Sequence, residues 1–257
     1  MINMAWYNVV DVILFVLFLI NIGYLLVFSV ASLFRQKPRR SDSLETKRIA
    51  ILIPAYKEDA VIGECVNSCL KQQYPKERYD VVVISDRMTD KTNDALQQLP
   101  IKLVKVYFES STKSKALNTA MDQLGDEYDI AVVLDADNII FPDFLTQINN
   151  LFQHDDVQIV QAHRCAKNLN TSLALLDALS EEINNGIFRK GHVKLGFSAA
   201  LIGSGMAFDY KLFKTSMLSI DAIGGFDRAL ELNLLREGKR IHYLPYSDVL
   251  DEKIQHG

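Results

Sequence analysis

Ile130-Ala131-Val132-Val133-Leu134-Asp135-Ala136-Asp137 is the stretch that decides how this chain folds. Five apolar residues in a row, rich in Val and Ile, read as a strand buried on both faces, as in parallel sheets. Asp135 and Asp137 close the run. Residues two apart in an extended segment point to the same side, so the two carboxylates crowd one another at the strand's carboxyl end. A divalent cation with oxygen ligands relieves that repulsion, and Mg²⁺ typically takes one or two carboxylates plus substrate phosphates. The expectation is a metal-held phosphate ester at the rim of a sheet.

Outward from this strand, apolar runs and helical stripes alternate. Ile49–Pro54, Val81–Ile84, Leu103–Phe108 and Val157–Ala162 read as further strands. Stripes within Asp59–Gln72, Thr92–Leu99 (capped by Thr89 or Asp90), Ser114–Leu124 and Pro142–Phe152 read as helices. Cys65 and Cys69 fall in the first stripe and read as small core residues; three cysteines make no disulfide framework. Alternation of this kind predicts an α/β fold with a mainly parallel central sheet flanked by helices, and ligands outside the carboxyl ends of the strands. Tyr56 and Glu58, Ser85 and Asp86, and Asp135 and Asp137 follow three different strands and should share one rim. Past residue 165 the pattern changes: Thr171–Arg189 reads as one long helix, Asp227–Glu237 as a short helix ended by Gly238, and Arg240–Leu244 as a strand.

Val12–Phe34 holds no Asp, Glu, Lys, Arg or His and is long enough to cross a bilayer as a helix. Arg35, Lys37, Arg39 and Arg40 follow it, so the expected topology is single-pass, with the amino terminus outside and the remainder cytoplasmic. Trp6 and Tyr7 would sit at the outer interface. A cleaved signal peptide would carry its positive charge ahead of a shorter apolar core. The expected organisation is a transmembrane anchor (1–35), a juxtamembrane linker (36–47) and a domain (48–257) with a nucleotide half (48–165) and an acceptor half (166–257). The net charge of −4 gives no support to nucleic-acid binding, and the five histidines show no ligand spacing.

Ile53-Pro54-Ala55-Tyr56-Lys57-Glu58, Val83-Ile84-Ser85-Asp86, Lys113-Ser114-Lys115-Ala116-Leu117-Asn118 and Leu134-Asp135-Ala136-Asp137 occur in the order and spacing of family 2 glycosyltransferases. Over roughly residues 48 to 253 the chain resembles membrane-anchored, inverting members with the GT-A fold, a Rossmann-like nucleotide-binding half joined to an acceptor half, similar to bacterial cellulose- and hyaluronan-synthase relatives. The resemblance implies that Pro54, Ala55, Tyr56 and Glu58 line a nucleoside pocket and that Asp86 bonds the base. It also implies that Asp135 and Ala136 meet the ribose or sugar, that Asp137, with Asp135, holds Mg²⁺ or Mn²⁺, and that Lys115 helps hold the nucleotide. The implied partners are a nucleotide-sugar donor, most simply a UDP-sugar, a saccharide or lipid-linked acceptor, and the membrane.

Direct displacement needs a base for the acceptor hydroxyl. The family often places it in a Glu-Asp pair; here the corresponding stretch is Gly225-Phe226-Asp227-Arg228-Ala229-Leu230-Glu231-Leu232. Asp227 and Glu231 share one helical face, and Asp227, beside the Gly224-Gly225 turn, is favoured. Gly203–Met206 would shape the acceptor side or form a tight turn. The Gln-x-x-Arg-Trp motif of processive relatives is missing before Gly257, so the expectation is a shortened, partial or defective enzyme rather than a processive synthase. Two alternatives stand beside it. A nucleotidyltransferase would want a glycine-rich basic loop where Tyr56-Lys57-Glu58 stands. A non-catalytic nucleotide-binding membrane subunit would fit the missing motif.

Overall fold

A computed structural model describes residues 4–34, 45–220 and 224–253. The basic flank at Arg35–Arg40, most of the linker and the stretch from Gln255 to Gly257 lie outside these residues, as do the side chains of Trp6 and Tyr7.

Helix α1 (Met4–Leu33) comes first. Its Val9–Leu33 portion has a mean hydropathy of 2.6 with 6% of its most apolar window buried, enough by length and composition to cross a membrane. The domain then alternates β1 (Ile49–Tyr56), α2 (Ile62–Leu70), β2 (Tyr79–Asp86), α3 (Asp90–Gln97), β3 (Lys102–Val106), α4 (Lys113–Gln123) and β4 (Ile130–Val133). After these come β5 (Ile139–Ile140), α5 (Phe144–Leu151), β6 (Ile159–Ala166) and α6 (Ser172–Asn184). A π-helical segment, Asn185–Gly191, runs on without a break into α7 (His192–Lys194). The last elements among the described residues are β7 (Met206–Asp209), α8 (Tyr210–Met217), α9 (Phe226–Arg236) and β8 (His242–Asp251).

Among the described residues the strands form one eight-stranded sheet in the order β3-β2-β1-β4-β7-β6-β8-β5. The β3-β2-β1-β4 half is parallel throughout, with Tyr56 opposite Asp86 at its carboxyl edge. The other half is mixed: β7 runs antiparallel to both β4 and β6, β5 antiparallel to β8, and β6 parallel to β8. The sequence pattern predicts the parallel half; the antiparallel insertion is the structure's addition.

Period-two alternation explains the layering. Ile49, Ile51 and Ile53 of β1 point into a core shared with α2 and α5, where Cys65 and Cys69 are fully buried. Ala50 and Leu52 point the other way, towards α4, α8 and α9. Burying each such aliphatic side chain stabilises by roughly 1.5–3 kcal/mol. Side-chain caps set several helix starts: the Thr89, Thr112 and Thr171 hydroxyls and the Asp209 carboxylate each accept from a backbone N–H three residues on.

The second half departs most from expectation. The long helix read from Thr171 to Arg189 continues to Lys194 through its π turn. The strand expected at Arg240–Leu244 instead spans His242–Asp251, with an irregularity in its pairing to β6 around Pro245. Proline removes a ladder donor and suggests a strand end, but here the chain bulges and resumes pairing at Asp248.

Candidate functional site

The parallel strands deliver their carboxyl ends to one rim, where a cleft of about 410 Å³ opens. Pro54, Ala55, Tyr56 and Glu58 reach it from β1, Asp86 from β2, and Asp135, Ala136 and Asp137 from the turn after β4. The backbone leaves the sheet sharply at two of these ends. Lys57 and Arg87 adopt left-handed φ values of 58° and 56°, a conformation costing non-glycine residues on the order of 1–2 kcal/mol. The Lys57 N–H donates to the Asp86 carbonyl at 3.1 Å, and Arg87 Nη2 donates to the Phe108 carbonyl at 2.6 Å. The two turns are thereby tied to neighbouring strands.

Asp86 is 3% exposed, yet its Oδ1 has no hydrogen-bond partner among the described residues. Buried carboxylate oxygens are ordinarily satisfied, because desolvating one without a partner is costly. Ser111 Oγ, on the same cleft wall, is likewise buried and unpartnered. A cleft lined by two orphaned polar atoms is built for a ligand that supplies the missing groups.

Asp135, Asp137 and Asp251 each present a carboxylate oxygen, all within 4.8 Å of one another. Asp251 comes from the far end of β8, opposite Ala166 of β6. Asn138 Nδ2 donates to Asp137 Oδ1 at 3.2 Å and to Asp251 Oδ1 at 3.0 Å, fixing two of the three. Burial, together with the charges of Asp251, Asp135 and Glu58, pushes the Asp137 carboxyl up to about 6. Three hard oxygen donors that repel one another fit an Mg²⁺- or Mn²⁺-type ion.

Lys113, not Lys115, is the lysine that reaches this centre. It opens α4, pairs with Asp135 and donates to the Gly203 carbonyl at 2.7 Å. Lys115 Nζ turns away to the Ser110 carbonyl at 3.0 Å and does not line the cleft. Arg164 Nη1 lies 4.0 Å from Asp135 and 3.6 Å from Asp251, and Arg164 Nε donates to Glu181 of α6 at 2.8 Å.

Asp227 and Glu231 both lie on α9 and have different surroundings. Asp227 approaches Gly203 and makes no hydrogen bond or ion pair among the described residues; a Cβ built on Gly203 would sit 3.7 Å from its Oδ2. Glu231 Oε2 accepts from the Leu201 N–H at 2.8 Å and from Arg228 Nη1 at 3.0 Å. Glu231 also lines a second, larger cavity of about 860 Å³ between α6, the π segment and α9. Asp251, Ser111, Lys113 and Arg164 are the site residues that the sequence reading does not single out. Lys113 was within the quoted motif, and Leu250-Asp251 repeats the apolar-then-acidic ending of Leu134-Asp135.

Comparison with known proteins bears on the family and the fold. Residues 47–255 match the family described as Glycosyltransferase like family 2, and the chain belongs to that family. It is 25% identical over 213 residues to a dolichyl N-acetyl-alpha-D-glucosaminyl phosphate 3-beta-D-2,3-diacetamido-2,3-dideoxy-beta-D-glucuronosyltransferase from Methanococcus voltae, covering 77% of this chain and 64% of that protein. It is 30% identical over 163 residues to a beta-monoglucosyldiacylglycerol synthase from a Nostoc species, covering 61% of this chain and 34% of that one. The chain thus spans 64% and 34% of the lengths of these relatives. In fold it is similar to a mannosyltransferase from Pyrobaculum calidifontis solved with GDP-Man and Mn²⁺: TM-score 0.71, 21% identity, 92% of this chain and 66% of that one.

Proposed function

We propose that the chain transfers a sugar from a nucleoside-diphosphate donor, a UDP-sugar, to a saccharide or lipid-linked acceptor at the cytoplasmic membrane face. The reaction is direct displacement with inversion, assisted by Mg²⁺ or Mn²⁺. The observation that carries this reading is the orphaned, buried Asp86 carboxylate sharing one cleft with the Asp135–Asp137–Asp251 trio.

Each residue has a task. Asp86 accepts from a base N–H, a charge-assisted bond that repays its burial. Tyr56, 45% exposed at the cleft mouth, offers a ring for the base to lie against. Ser111 Oγ is free to bond the ribose or base. Asp135, Asp137 and Asp251 would hold the divalent ion, which neutralises charge on the departing diphosphate. Lys113, poised between Asp135 and Gly203, adds a further positive group for the phosphates. Asp227, uncommitted beside Gly203, takes the acceptor hydroxyl's proton as the new bond to the anomeric carbon forms and the bond to the diphosphate oxygen breaks. Glu231 is tied to Leu201 and Arg228 and acts as a brace for the acceptor side.

Helix α1, with the basic residues that follow it in sequence, supports an anchor with the domain on the cytoplasmic side. The test is to titrate UDP with and without Mn²⁺ while following thermal stability, then to measure UDP release from a panel of UDP-sugars by the native protein and Asp137→Ala. Metal-dependent UDP binding, with release lost in the variant, is expected. Equal release by both would remove Asp137 from the mechanism, and UDP binding without release would favour a non-catalytic nucleotide-binding subunit.

A further inference from the structure

The larger cavity contains a positive charge that the protein itself does not answer. Arg189, in the π segment after α6, is 4% exposed and lines this 860 Å³ space. Its hydrogen bonds go to neutral acceptors, the Asn185 side-chain oxygen at 2.7 Å and the Ala200 carbonyl at 3.3 Å. Among the described residues no carboxylate lies within 4.0 Å of it. Two of the acidic groups nearby are engaged elsewhere: Glu181 binds Arg164 and Lys253, and Glu231 binds Arg228. Asp177, also on the cavity wall, forms no ion pair with Arg189. A guanidinium keeps its proton in proteins, so the fold holds a largely desolvated cation at a cavity wall with no carboxylate in contact among the described residues. Planar guanidinium groups match carboxylate and phosphate oxygens.

The cavity also adjoins apolar surface that continues the anchor. Phe188 and His192, which line it, pack against Tyr24 and Phe28 of α1. Gly191 sits so close to α1 that a Cβ there would come within 2.3 Å of the Phe28 carbonyl oxygen. Along α6, Leu176, Leu179 and Ile183 are 64%, 52% and 59% exposed, and Phe197 is 57% exposed. An amphipathic helix beside a membrane-spanning one would lay such a face into the headgroup region.

We propose that this cavity is the binding site for the anionic head group, phosphate or carboxylate, of a lipid-linked acceptor. Arg189 supplies the counter-charge, and the α6 face and Phe197 keep the acyl or prenyl chain in the bilayer. The assignment rests on the glycosyl-transfer reading and names its acceptor class.

Dodecyl phosphate is the probe, with monolaurin as its uncharged counterpart and inorganic phosphate as its chainless one, all added to the full chain in neutral detergent. The expected result is stabilisation of the native protein by dodecyl phosphate and by neither control at equal concentration. Arg189→Gln should weaken dodecyl phosphate by about tenfold or more, the loss typical of a buried charged contact, and Arg189→Lys should restore part of it. UDP affinity with Mn²⁺ should stay unchanged in both variants, so failure of donor binding and failure of head-group binding read out separately. Equal binding of dodecyl phosphate and monolaurin, binding of inorganic phosphate as tight as that of dodecyl phosphate, or full binding by Arg189→Gln would each overturn the proposal. Should Arg189→Gln fail to fold, the comparison of the three probes on the native protein decides.

Discussion

Replacing Asp86 with Asn should stabilise the ligand-free protein and weaken donor binding at the same time. The carboxylate is 3% exposed and its Oδ1 is unpartnered, so the folded state carries the desolvation of an unpaired anionic oxygen. Leaving a buried polar group unsatisfied costs about 1–3 kcal/mol, more when it is charged. The neutral amide removes the charged part of that penalty. At about 2–4 °C per kcal/mol for a domain of this size, the unfolding midpoint should rise by several degrees. With UDP bound, the same carboxylate accepts a charge-assisted hydrogen bond worth about 1.5–3 kcal/mol, so the variant should bind UDP roughly 10- to 100-fold more weakly. Differential scanning fluorimetry with and without UDP and Mn²⁺ reads both effects on one sample. A midpoint that falls, together with unchanged UDP affinity, would mean that Asp86 is an ordinary structural acid and would refute the reasoning.

Asp251→Asn removes one of three ion-facing carboxylates and should abolish the Mn²⁺-dependent increment in UDP affinity while leaving metal-free binding in place, as isothermal titration can show. Asp227→Asn should lower kcat by about 10²- to 10⁴-fold without changing UDP affinity, whereas Glu231→Gln, losing its charge pair with Arg228, should act less on kcat and more on stability; single-turnover rates and melting curves separate the two. Burial pushes the Asp80 carboxyl up, but hydrogen bonds from Tyr128, Arg48 and Lys102 outweigh it and the net shift is downward. Its contribution is therefore present above about pH 4 and lost as pH falls further, and Asp80→Asn should flatten the acid limb of a melting-temperature profile. Leu52→Ala, at a fully buried position facing α4 and α8, should cost about 2–5 kcal/mol in denaturant titrations.

The parallel half of the sheet was legible because its signals are local. Each of β1, β2 and β4 is a continuous apolar run ending in acidic or polar residues, and parallel topology sends those ends to one rim. The mixed half of the sheet hides its signals in pairing between distant segments. β7 is four residues long and buried on both sides, Met206-Ala207-Phe208 within it being also free of β-branched residues, so it shows neither period two nor a strand-rich composition. The strand read at Arg240–Leu244 stops short of Asp251, which completes the acidic trio from the far end of β8. The sequence reading names Lys115, which lies about 200° of helix rotation from Lys113. Both lie in the first turn of α4, and only the fold shows that position 113 faces Asp135 while 115 faces Ser110.

The two cavities share one ionic cluster, which gives a reason for the site's composition. Asp135, Asp137, Asp251 and Glu181 contribute four negative charges when ionised, and Lys113, Arg164 and Lys253 contribute three positive ones. The centre is thus close to neutral with a negative remainder. A diphosphate arriving alone would be repelled by that remainder, whereas one arriving with a divalent cation brings compensating charge to the side where Asp137 is already hard to ionise. Glu181 links this balance to α6, because it binds both Arg164 and Lys253, and Lys253 in turn holds Asp251 at 3.1 Å. Removing Lys253 would take a buried cationic partner from both Glu181 and Asp251. The wall of the larger cavity is therefore held in place by the same ion pairs that aim the carboxylates at the rim of the parallel strands.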